Sequence, residues 1–325
     1  MSTAATRPGD RAVGVVGAGR MGVGIAQIFA AGGFRVHLID PVAAALAAAP
    51  ERLAGITARR GQPAAVADRV SFHAALPDAI AGCVLVIEAA PEKVELKQSI
   101  FRELDARCGP DVILATNTSV IPVSRVAAEV GRPGRALGMH FWNPPYAVRL
   151  VEVVQAERTD PAVIAPAMAL LAEVGQKPVH VRKDVPGFIG NRLQHALKRE
   201  AIALVENGVC DAETVDFVVR NSFGARLGLM GPLEQSDMLG LGLTLAIHSV
   251  LLSDLDCSRA PQRLLVDKVA AGETGAAVGR GFRSWTPEQR AELENRLDAA
   301  LLAAARGPDE TKGEEPVGVD TKAAG

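Results

Sequence analysis

The sequence predicts an α/β fold in which a doubly wound parallel sheet is followed by an all-α domain. In the first half of the chain, short apolar runs that end in glycine or a polar residue alternate with helical patterns. This alternation is typical of a parallel sheet with helices on both faces. From the turn at Asp184–Gly187 onward, one helical pattern follows another. We therefore predict an α/β domain in residues 1–184, a helical domain in residues 185–305 and a disordered tail in residues 306–325.

The composition excludes several classes of function. The chain has 325 residues, of which 48% are hydrophobic and 22% charged, and its formal net charge is −2. These values are those of a globular protein without the basic excess of a general nucleic-acid binder. The four cysteines form no CxxC pair and do not cluster with histidines, so we predict no metal site and a reducing compartment. The polar N-terminus and the lack of an apolar run of about 18 residues predict a cytoplasmic protein without a membrane partner.

The first predicted strand leads directly into a glycine-rich loop. Ala12–Val16 is a short apolar run, residues 17–22 read GAGRMG, and a helical pattern begins inside this loop. A second apolar run, Phe34–Ile39, ends at the acidic residue Asp40. A GxGxxG loop between a strand and a helix, followed by a second strand that ends in an acid, indicates a Rossmann-like dinucleotide site.

Each residue of the loop has a physical role in this interpretation. Gly17 permits the tight turn, Gly19 lets the backbone approach a pyrophosphate, and Gly22 lets the helix pack closely on the strand. Free amides at the helix N-terminus then bind the anion. The Asp40 carboxylate would accept hydrogen bonds from the adenosine ribose and repel a 2′-phosphate, so NAD is favoured over NADP. The alternative is a structural glycine turn. We assign the cofactor loop to Gly17, Gly19, Arg20, Met21 and Gly22.

The remaining elements of the α/β domain follow in order. Residues 41–61 are an alanine-rich helix that Pro50 breaks or restarts, and Pro91 opens a later helix at its N1 position. Further strands are predicted at residues 69–73, 83–87, 111–115, 136–141, 150–155 and 177–181, and further helices at residues 91–108, 121–130 and 161–174. In such sheets ligands lie at the carboxyl ends of the strands. The side chains expected to line this crevice are Asp40, Glu92, Asn117, Ser119 and His140.

Two of the predicted strands carry a candidate general base. His140 lies in one apolar run and Glu152 in the next, and the segment Asn143–Tyr146 between them contains two prolines that exclude regular helix or central strand. Neighbouring strands would bring the two side chains together. A histidine oriented by a buried carboxylate is the usual form of a base that works near neutral pH. A lone histidine in an apolar strand is otherwise more often structural.

Taken together, these motifs resemble those of one enzyme family. The segments are GAGRMG at 17–22, EAAPE with the following LK at 88–97, ATNTS at 115–119, GMHFWNP at 138–144, LVEVV at 150–154 and KDVPGFIGNR at 183–192. Their order and spacing are similar to those of the 3-hydroxyacyl-CoA dehydrogenases and of relatives that oxidise free 3-hydroxy acids. The helical domain resembles the family more loosely, through GPLEQSDMLGL at 231–241.

The resemblance implies a role for each matching residue. His140 corresponds to the catalytic base, Glu152 to its paired carboxylate, and Ser119 and Asn191 to polar groups that contact the reacting oxygen. By themselves, Ser119 could be a helix N-cap and Asn191 an ordinary helix residue. The positions that correspond to NAD contacts are Asp40, Ala89, Glu92, Lys97, Asn117 and Asn143.

The substrate is less sharply predicted than the reaction. The resemblance implies first the NAD-dependent oxidation of a 3-hydroxyacyl thioester, with coenzyme A or a carrier protein as its handle. The region that helps to hold coenzyme A in the family is short and poor in lysine here, and the Asn143–Tyr146 loop resembles members that act on free acids such as carnitine or gulonate. A free 3-hydroxy acid is therefore the second interpretation, and a non-catalytic NAD-binding protein the third. The candidate phosphate-binding side chains are Arg52, Arg59, Arg60 and Arg69.

The helical domain contains a stretch that is apolar on nearly every face. It begins at Pro232 and includes Leu239, Leu241, Leu245 and Ile247. Such a helix is buried either in a large core or against a partner chain. The family resemblance implies the second, a homodimer formed by the helical domains.

Overall fold

The computed structural model describes residues 11–305, and the tail predicted at residues 306–325 lies outside the described residues. Its eight strands form one sheet with the order β3-β2-β1-β4-β5-β6-β7-β8. The strands are β1 (Ala12–Val16), β2 (Arg35–Ile39), β3 (Val70–His73), β4 (Leu85–Glu88), β5 (Ile113–Thr116), β6 (Ala136–Phe141), β7 (Leu150–Val154) and β8 (Lys177–Val181). All neighbouring strands are parallel except β6 and β7, which are antiparallel. The predicted α/β fold is confirmed, with one antiparallel pair in a mostly parallel sheet.

Helices cover both faces of the sheet. The first five are α1 (Arg20–Ala31), α2 (Ala43–Arg59), α3 (Val94–Arg107), α4 (Val123–Val126) and α5 (Ile164–Glu173). Val13 and Val15 of β1 belong to an apolar cluster that contains Phe29 of α1, whereas Val16 belongs to a second cluster with Phe101 of α3. Alternate residues of a strand face opposite sides. The strands are therefore buried on both faces, which explains their continuous apolar sequences.

Three proline- and valine-containing segments differ from the sequence prediction. Helix α2 is continuous through Pro50, which lies on an exposed part of the helix. Helix α3 begins at Val94 rather than at Pro91, because the amide and carbonyl of Ala90 are bound by the side chains of Glu88 and Lys97. Helix α4 is a single turn of four residues instead of the predicted 121–130. The β-branched valines of this segment disfavour a longer helix.

The rest of the described chain is helical. Its helices are α6 (Gly190–Glu206), α7 (Ala212–Asn221), α8 (Pro232–Leu239), α9 (Leu241–Leu251), α10 (Arg263–Ala270) and α11 (Pro287–Ala305). Asp211 caps α7 as predicted, since its carboxylate accepts a hydrogen bond from the Thr214 amide at 2.8 Å. The predicted long apolar helix is interrupted at Gly240, whose φ of +91° separates α8 from α9. None of the helices between residues 11 and 305 is long and apolar enough to cross a membrane.

The described residues form two compact units. The first contains residues 11–191 together with residues 298–305, and the second contains residues 192–297. The sheet and the predicted catalytic and cofactor residues all belong to the first unit. The exposed apolar side chains of α8 and α9 belong to the second.

Candidate active site

The central pair of the site is set by strand register. In the antiparallel ladder of β6 and β7, His140 lies directly opposite Glu152. Their side chains meet at 2.7 Å between His140 Nδ1 and Glu152 Oε2, and both are buried. Directly opposed residues of an antiparallel pair are the closest side-chain neighbours in a sheet. The predicted pairing of His140 with Glu152 is therefore observed, although His140 lies within β6 rather than after it.

The second oxygen of Glu152 is held by a backbone turn. Its Oε1 accepts hydrogen bonds from the amides of Ile189 at 2.9 Å and Gly190 at 3.0 Å. Two successive residues with positive φ, Gly187 at +77° and Phe188 at +50°, direct these amides inward. Positive φ is uncommon for a residue such as phenylalanine and is concentrated at functional sites. The buried carboxylate thus has a partner for each oxygen.

These contacts decide the charge of Glu152. Burial raises the pKa of its carboxyl group, but the hydrogen bonds from His140, Gly190 and Ile189 and the charge interaction with His140 outweigh burial, so the pKa is lowered. Glu152 is therefore ionised at neutral pH. An ionised carboxylate on Nδ1 fixes the imidazole tautomer and leaves Nε2 of His140 as the atom that can accept a proton.

Aromatic rings enclose the imidazole. The His140 ring centroid lies 5.2 Å from that of Trp142 and 5.7 Å from that of Phe188. A Cβ atom at Gly190 would lie 2.2 Å from the Trp142 ring, so the chain can pass Trp142 only with glycine at this position. The rings exclude water from one side of the pair, which strengthens the electrostatic interaction between its members.

The other two predicted catalytic residues meet beside this pair. Asn191 Nδ2 donates a hydrogen bond to the backbone oxygen of Ser119 at 3.0 Å. Asn191 directly follows Gly190, which binds Glu152, and Ser119 follows the end of β5 by three residues. Asn117, also after β5, accepts a hydrogen bond from the Phe141 amide at 2.9 Å. These contacts bring the ends of β5 and β6 and the start of α6 together.

The glycine-rich loop has the geometry that a pyrophosphate requires. Gly17 has a φ of +110°, and a Cβ atom there would lie 2.7 Å from the Ala89 carbonyl oxygen. A Cβ atom at Gly22 would lie 1.7 Å from the Gly17 oxygen. Helix α1 begins with Gly19 as its N-cap, and no side chain caps its first turn. The exposed residues Gly19 and Arg20 therefore leave free amides for an anion, and Met21 lies behind them, partly buried.

Asp40 closes this cofactor end of the sheet. Its carboxylate accepts hydrogen bonds from the amide of Ala18 at 2.7 Å and from the amide of Val42 at 2.8 Å. One acid thus links the end of β2 to the glycine-rich loop. Each oxygen keeps a lone pair for a ribose hydroxyl, since an ionised carboxylate has about four acceptor positions. The residues present fit the adenosine half of NAD.

The remaining predicted cofactor residues occupy different environments. Glu92 is partly exposed, and its Oε1 accepts hydrogen bonds from the Thr118 hydroxyl and from the Ser119 amide at 3.0 Å. Burial raises the Glu92 pKa, but these bonds and the charge of Lys97 outweigh it and lower the pKa. Lys97 is 1% exposed and is surrounded by protein acceptors. Asn143 is exposed and precedes a cis peptide bond to Pro144, and Ala89 is partly buried beside Gly17.

One functional candidate was missed in the sequence. Glu88, the last residue of β4, is fully buried and binds Lys97 with both carboxylate oxygens. The available signal was an acid that ends an otherwise apolar buried strand, because a buried carboxylate requires a partner. No three or more His, Cys, Asp or Glu side chains in residues 11–305 are grouped so that they could hold a metal ion.

The lowered pKa of Glu152 makes a prediction for stability. A carboxyl group with a depressed folded-state pKa stabilises the fold above its unfolded pKa, and this contribution is lost as the pH falls through the folded pKa. We expect Glu152→Gln to lower the free energy of unfolding by about 2 kcal/mol at pH 7. The difference from wild type should shrink below about pH 4.5, the ordinary value for a glutamate. Thermal unfolding across this range measures it, and Glu129→Gln on the exposed surface is the control. A difference that is independent of pH would contradict an ionised Glu152.

Comparison with known proteins identifies the family. Residues 12–185 match the 3-hydroxyacyl-CoA dehydrogenase NAD binding domain, and residues 187–285 match the 3-hydroxyacyl-CoA dehydrogenase C-terminal domain. The chain is 39% identical over 278 residues to a 3-hydroxybutyryl-CoA dehydrogenase of Bradyrhizobium diazoefficiens, covering 83% of this chain and 94% of that protein.

A second relative has a different substrate. The chain is 35% identical over 305 residues to the 5-formyl-3-hydroxy-2-methylpyridine 4-carboxylate 5-dehydrogenase of Mesorhizobium japonicum, covering 91% of this chain and 97% of that protein. A crystal structure of such an enzyme, described as an NAD⁺-dependent dismutase, superimposes with a TM-score of 0.84 at 34% identity. The superposition covers 91% of this chain and 97% of that chain. The chain therefore belongs to the 3-hydroxyacyl-CoA dehydrogenase family and is an NAD-dependent oxidoreductase that acts on a CH–OH group.

Proposed function

We propose that the chain oxidises a free 3-hydroxy acid with NAD, rather than a coenzyme A thioester. The observation that carries this proposal is the engagement of the arginines that were candidates for a phosphate-bearing handle. The Arg52 guanidinium lies 3.5 Å from the Ala18 oxygen, Arg60 donates to Gln27 at 2.7 Å, and Arg69 donates to the Gly33 oxygen at 2.9 Å. Arg59 forms an ion pair with Asp298 at 3.7 Å. Each guanidinium already has an acceptor within the protein.

The C-terminal helix supports the same proposal. Asp298 of α11 accepts a hydrogen bond from the Tyr146 hydroxyl at 3.0 Å in addition to its ion pair with Arg59. This one carboxylate therefore links α2 to the loop that follows β6, the strand that carries His140. Helix α11 lies beyond residue 285, where the family match ends. The match to the pyridine carboxylate dehydrogenase is also longer, 305 residues against 278 for the thioester enzyme.

The proposed mechanism follows from the contacts of His140. In oxidation, Nε2 of His140 accepts the proton of the substrate hydroxyl, and a hydride leaves the carbon that bears this hydroxyl. Bound nicotinamide supplies the hydride acceptor. Glu152 holds the imidazole in its tautomer and stabilises the imidazolium that forms. The side chains of Ser119 and Asn191 donate hydrogen bonds to the substrate oxygen as its charge changes. In the reductive direction His140 returns the proton.

A thioester substrate is the second candidate. It is supported by the 39% identity to 3-hydroxybutyryl-CoA dehydrogenase and by the exposure of Arg59, whose side chain is 63% accessible. In that case Arg59 would exchange Asp298 for a phosphate. The two candidates share the His140–Glu152 chemistry and differ only in what holds the rest of the substrate.

Titration with coenzyme A separates the two candidates. We expect calorimetry with NADH-loaded enzyme to detect no coenzyme A binding in the micromolar range, and Arg59→Glu to leave the Michaelis constant of a free acid unchanged. If the handle were coenzyme A, the wild-type protein would bind it. Arg59→Glu would then lower the affinity for coenzyme A roughly tenfold, because one charge-assisted contact to a phosphate is lost. Arg102→Glu, on the exposed side of α3, is the matched control.

We further propose that the second unit carries a homodimer interface. Exposed apolar side chains are concentrated on α8 and α9 and the loop before them, and they include Leu229, Leu233, Met238, Leu241, Leu245 and Val250, with exposures of 90%, 80%, 74%, 63%, 68% and 78%. A concentration of exposed apolar side chains of this kind marks an association surface. The absence of disulfides between the four cysteines supports a cytoplasmic location.

The association state tests this interface. Sedimentation velocity should give a dimer for wild type and a monomer for the double variant Leu241→Glu with Leu245→Glu, because a charge cannot be buried without a partner. Leu96→Glu, at an exposed leucine of α3, should remain dimeric. A wild-type monomer, or an unaltered dimer in the double variant, would remove these helices from the interface.

A further inference from the structure

A buried carboxylate lies at the centre of the cofactor edge of the sheet. Glu88 ends β4, the strand between β1, which leads into the glycine-rich loop, and β5, which leads to Asn117. It is 0% exposed. Its Oε1 accepts hydrogen bonds from the Ala90 amide at 2.6 Å and from Lys97 at 2.9 Å, and its Oε2 accepts from Lys97 at 3.1 Å and from the Thr116 hydroxyl at 2.7 Å.

The partner of Glu88 is saturated by protein acceptors. Lys97 is 1% exposed, and its ammonium group binds Glu88, the Ala90 oxygen at 3.1 Å and Glu92 Oε2 at 3.3 Å. A lysine ammonium has three protons. All three have acceptors in the protein, so Lys97 acts on its surroundings through Glu88, Ala90 and Glu92.

Glu92 extends the network to the turn at residues 118–120 that follows β5, the Ser119 turn. Its Oε2 pairs with Lys97, and its Oε1 accepts hydrogen bonds from the Thr118 hydroxyl and from the amides of Ser119 at 3.0 Å and Val120 at 3.3 Å. The Ser119 carbonyl oxygen in turn accepts from Asn191 at 3.0 Å. Glu92 therefore fixes the turn that carries Ser119 and whose carbonyl oxygen binds Asn191, the second proposed donor to the substrate oxygen.

The same network reaches the cofactor loop at its other end. The Ala90 amide and carbonyl are bound by Glu88 and Lys97, which fixes the Ala89–Ala90 segment. This segment lies against Gly17, where a Cβ atom would be 2.7 Å from the Ala89 oxygen and 3.2 Å from the Ala90 nitrogen. The Ala89 amide also donates to Val16 at 2.7 Å, immediately before the loop.

We propose that Glu88 and Lys97 are positioning residues that set the Gly17 loop and the Ser119 turn in one fixed geometry, so that cofactor binding and substrate-oxygen contacts are established together. This proposal deepens the proposed function and rests on the roles given there to Ser119 and Asn191. The pair is costly as a purely stabilising device, because burying two charges loses their hydration and a similar apolar pair is often as stable. Its use is geometric: the carboxylate and the ammonium bind two loops and one strand end at fixed angles.

A charge-balanced double variant tests positioning separately from folding. Glu88→Gln with Lys97→Met removes both charges, leaves an acceptor for the Ala90 amide and fills a similar volume. We expect it to fold with a melting temperature close to wild type, to bind NADH roughly tenfold more weakly because the glycine-rich loop is no longer held in one geometry, and to exchange the Ser119 and Val120 amides with solvent faster. Neither readout requires a substrate, so failure of the free-acid proposal would leave this test unaffected.

A milder variant and an exposed control complete the experiment. Thr116→Val removes the hydrogen bond to Glu88 and the weaker bond that the Thr116 hydroxyl accepts from the Thr118 amide at 3.3 Å, with little change of shape. It should shift NADH affinity and amide exchange in the same direction, and the shift in NADH affinity should be smaller than in the double variant. Glu129→Gln, which removes an exposed carboxylate paired with Arg102, should change neither quantity. Wild-type NADH affinity and unaltered exchange at Ser119 in the folded double variant would overturn the proposal. If that variant does not fold, the same two results in Thr116→Val would overturn it.

Discussion

Replacing His140 with glutamine is expected to reduce turnover by roughly 10²- to 10⁴-fold, the contribution of a general base, while NADH affinity stays within a few-fold of wild type. Glutamine keeps a donor that can reach Glu152, which lies 2.7 Å from His140 Nδ1. It has no group that can accept and return a proton near neutral pH. Steady-state turnover and NADH fluorescence titration on the same preparation measure the two quantities.

Two other outcomes would contradict the assignment of His140 as the general base. An unchanged rate would show that His140 is not the base. Loss of the folded state would mark it as a structural residue, since it is buried between Trp142 and Phe188. Glu152→Gln should give a smaller loss of turnover than His140→Gln, because the imidazole remains and only its orientation and charge stabilisation are weakened.

Replacing Asp40 with alanine is expected to raise the Michaelis constant for NAD by roughly 10- to 100-fold, as expected for the loss of two hydrogen bonds to a charged acceptor. The constant for NADP should change much less, because the same substitution removes the repulsion of its 2′-phosphate. The preference for NAD over NADP should therefore decrease. Initial rates with both cofactors measure this ratio.

The backbone contacts of Asp40 require a matched control. Its carboxylate also holds the amides of Ala18 and Val42, so the alanine variant can distort the loop and weaken both cofactors equally. Asp40→Asn retains an oxygen acceptor and removes only the charge. If neither variant alters the ratio of the two cofactors, Asp40 does not select NAD.

The parts of the site that the sequence predicted are those fixed by local rules. Glycine at 17 and 22 is required by close approaches of the backbone, and these steric requirements are specific enough to be read from the residues alone. The meeting of His140 with Glu152 follows from two apolar runs and a short proline-containing connection, which leave neighbouring strands as the simplest arrangement. The strand bounds of β6 and β8 were predicted to the residue.

The parts that were not predicted depend on contacts between distant residues. Pro91 was expected to start a helix, but the bonds from Glu88 and Lys97 to Ala90 hold that segment as a loop. Local propensity contains no information about a buried ion pair formed across a strand end and a helix. The positive φ of Phe188, which aims two amides at Glu152, has no sequence signal either, because the residue is not glycine.

The measurement that tests the central claim most directly is NADH oxidation with a free 3-keto acid and with its coenzyme A thioester, assayed in parallel. Acetoacetate and acetoacetyl-CoA are the first pair, followed by larger polar 3-keto acids, with the His140→Gln protein as the blank. We expect turnover of a free acid that the blank lacks, and no turnover of the thioester. Rapid turnover of the thioester alone would contradict this expectation and would direct attention to Arg59 as the residue that exchanges Asp298 for a phosphate.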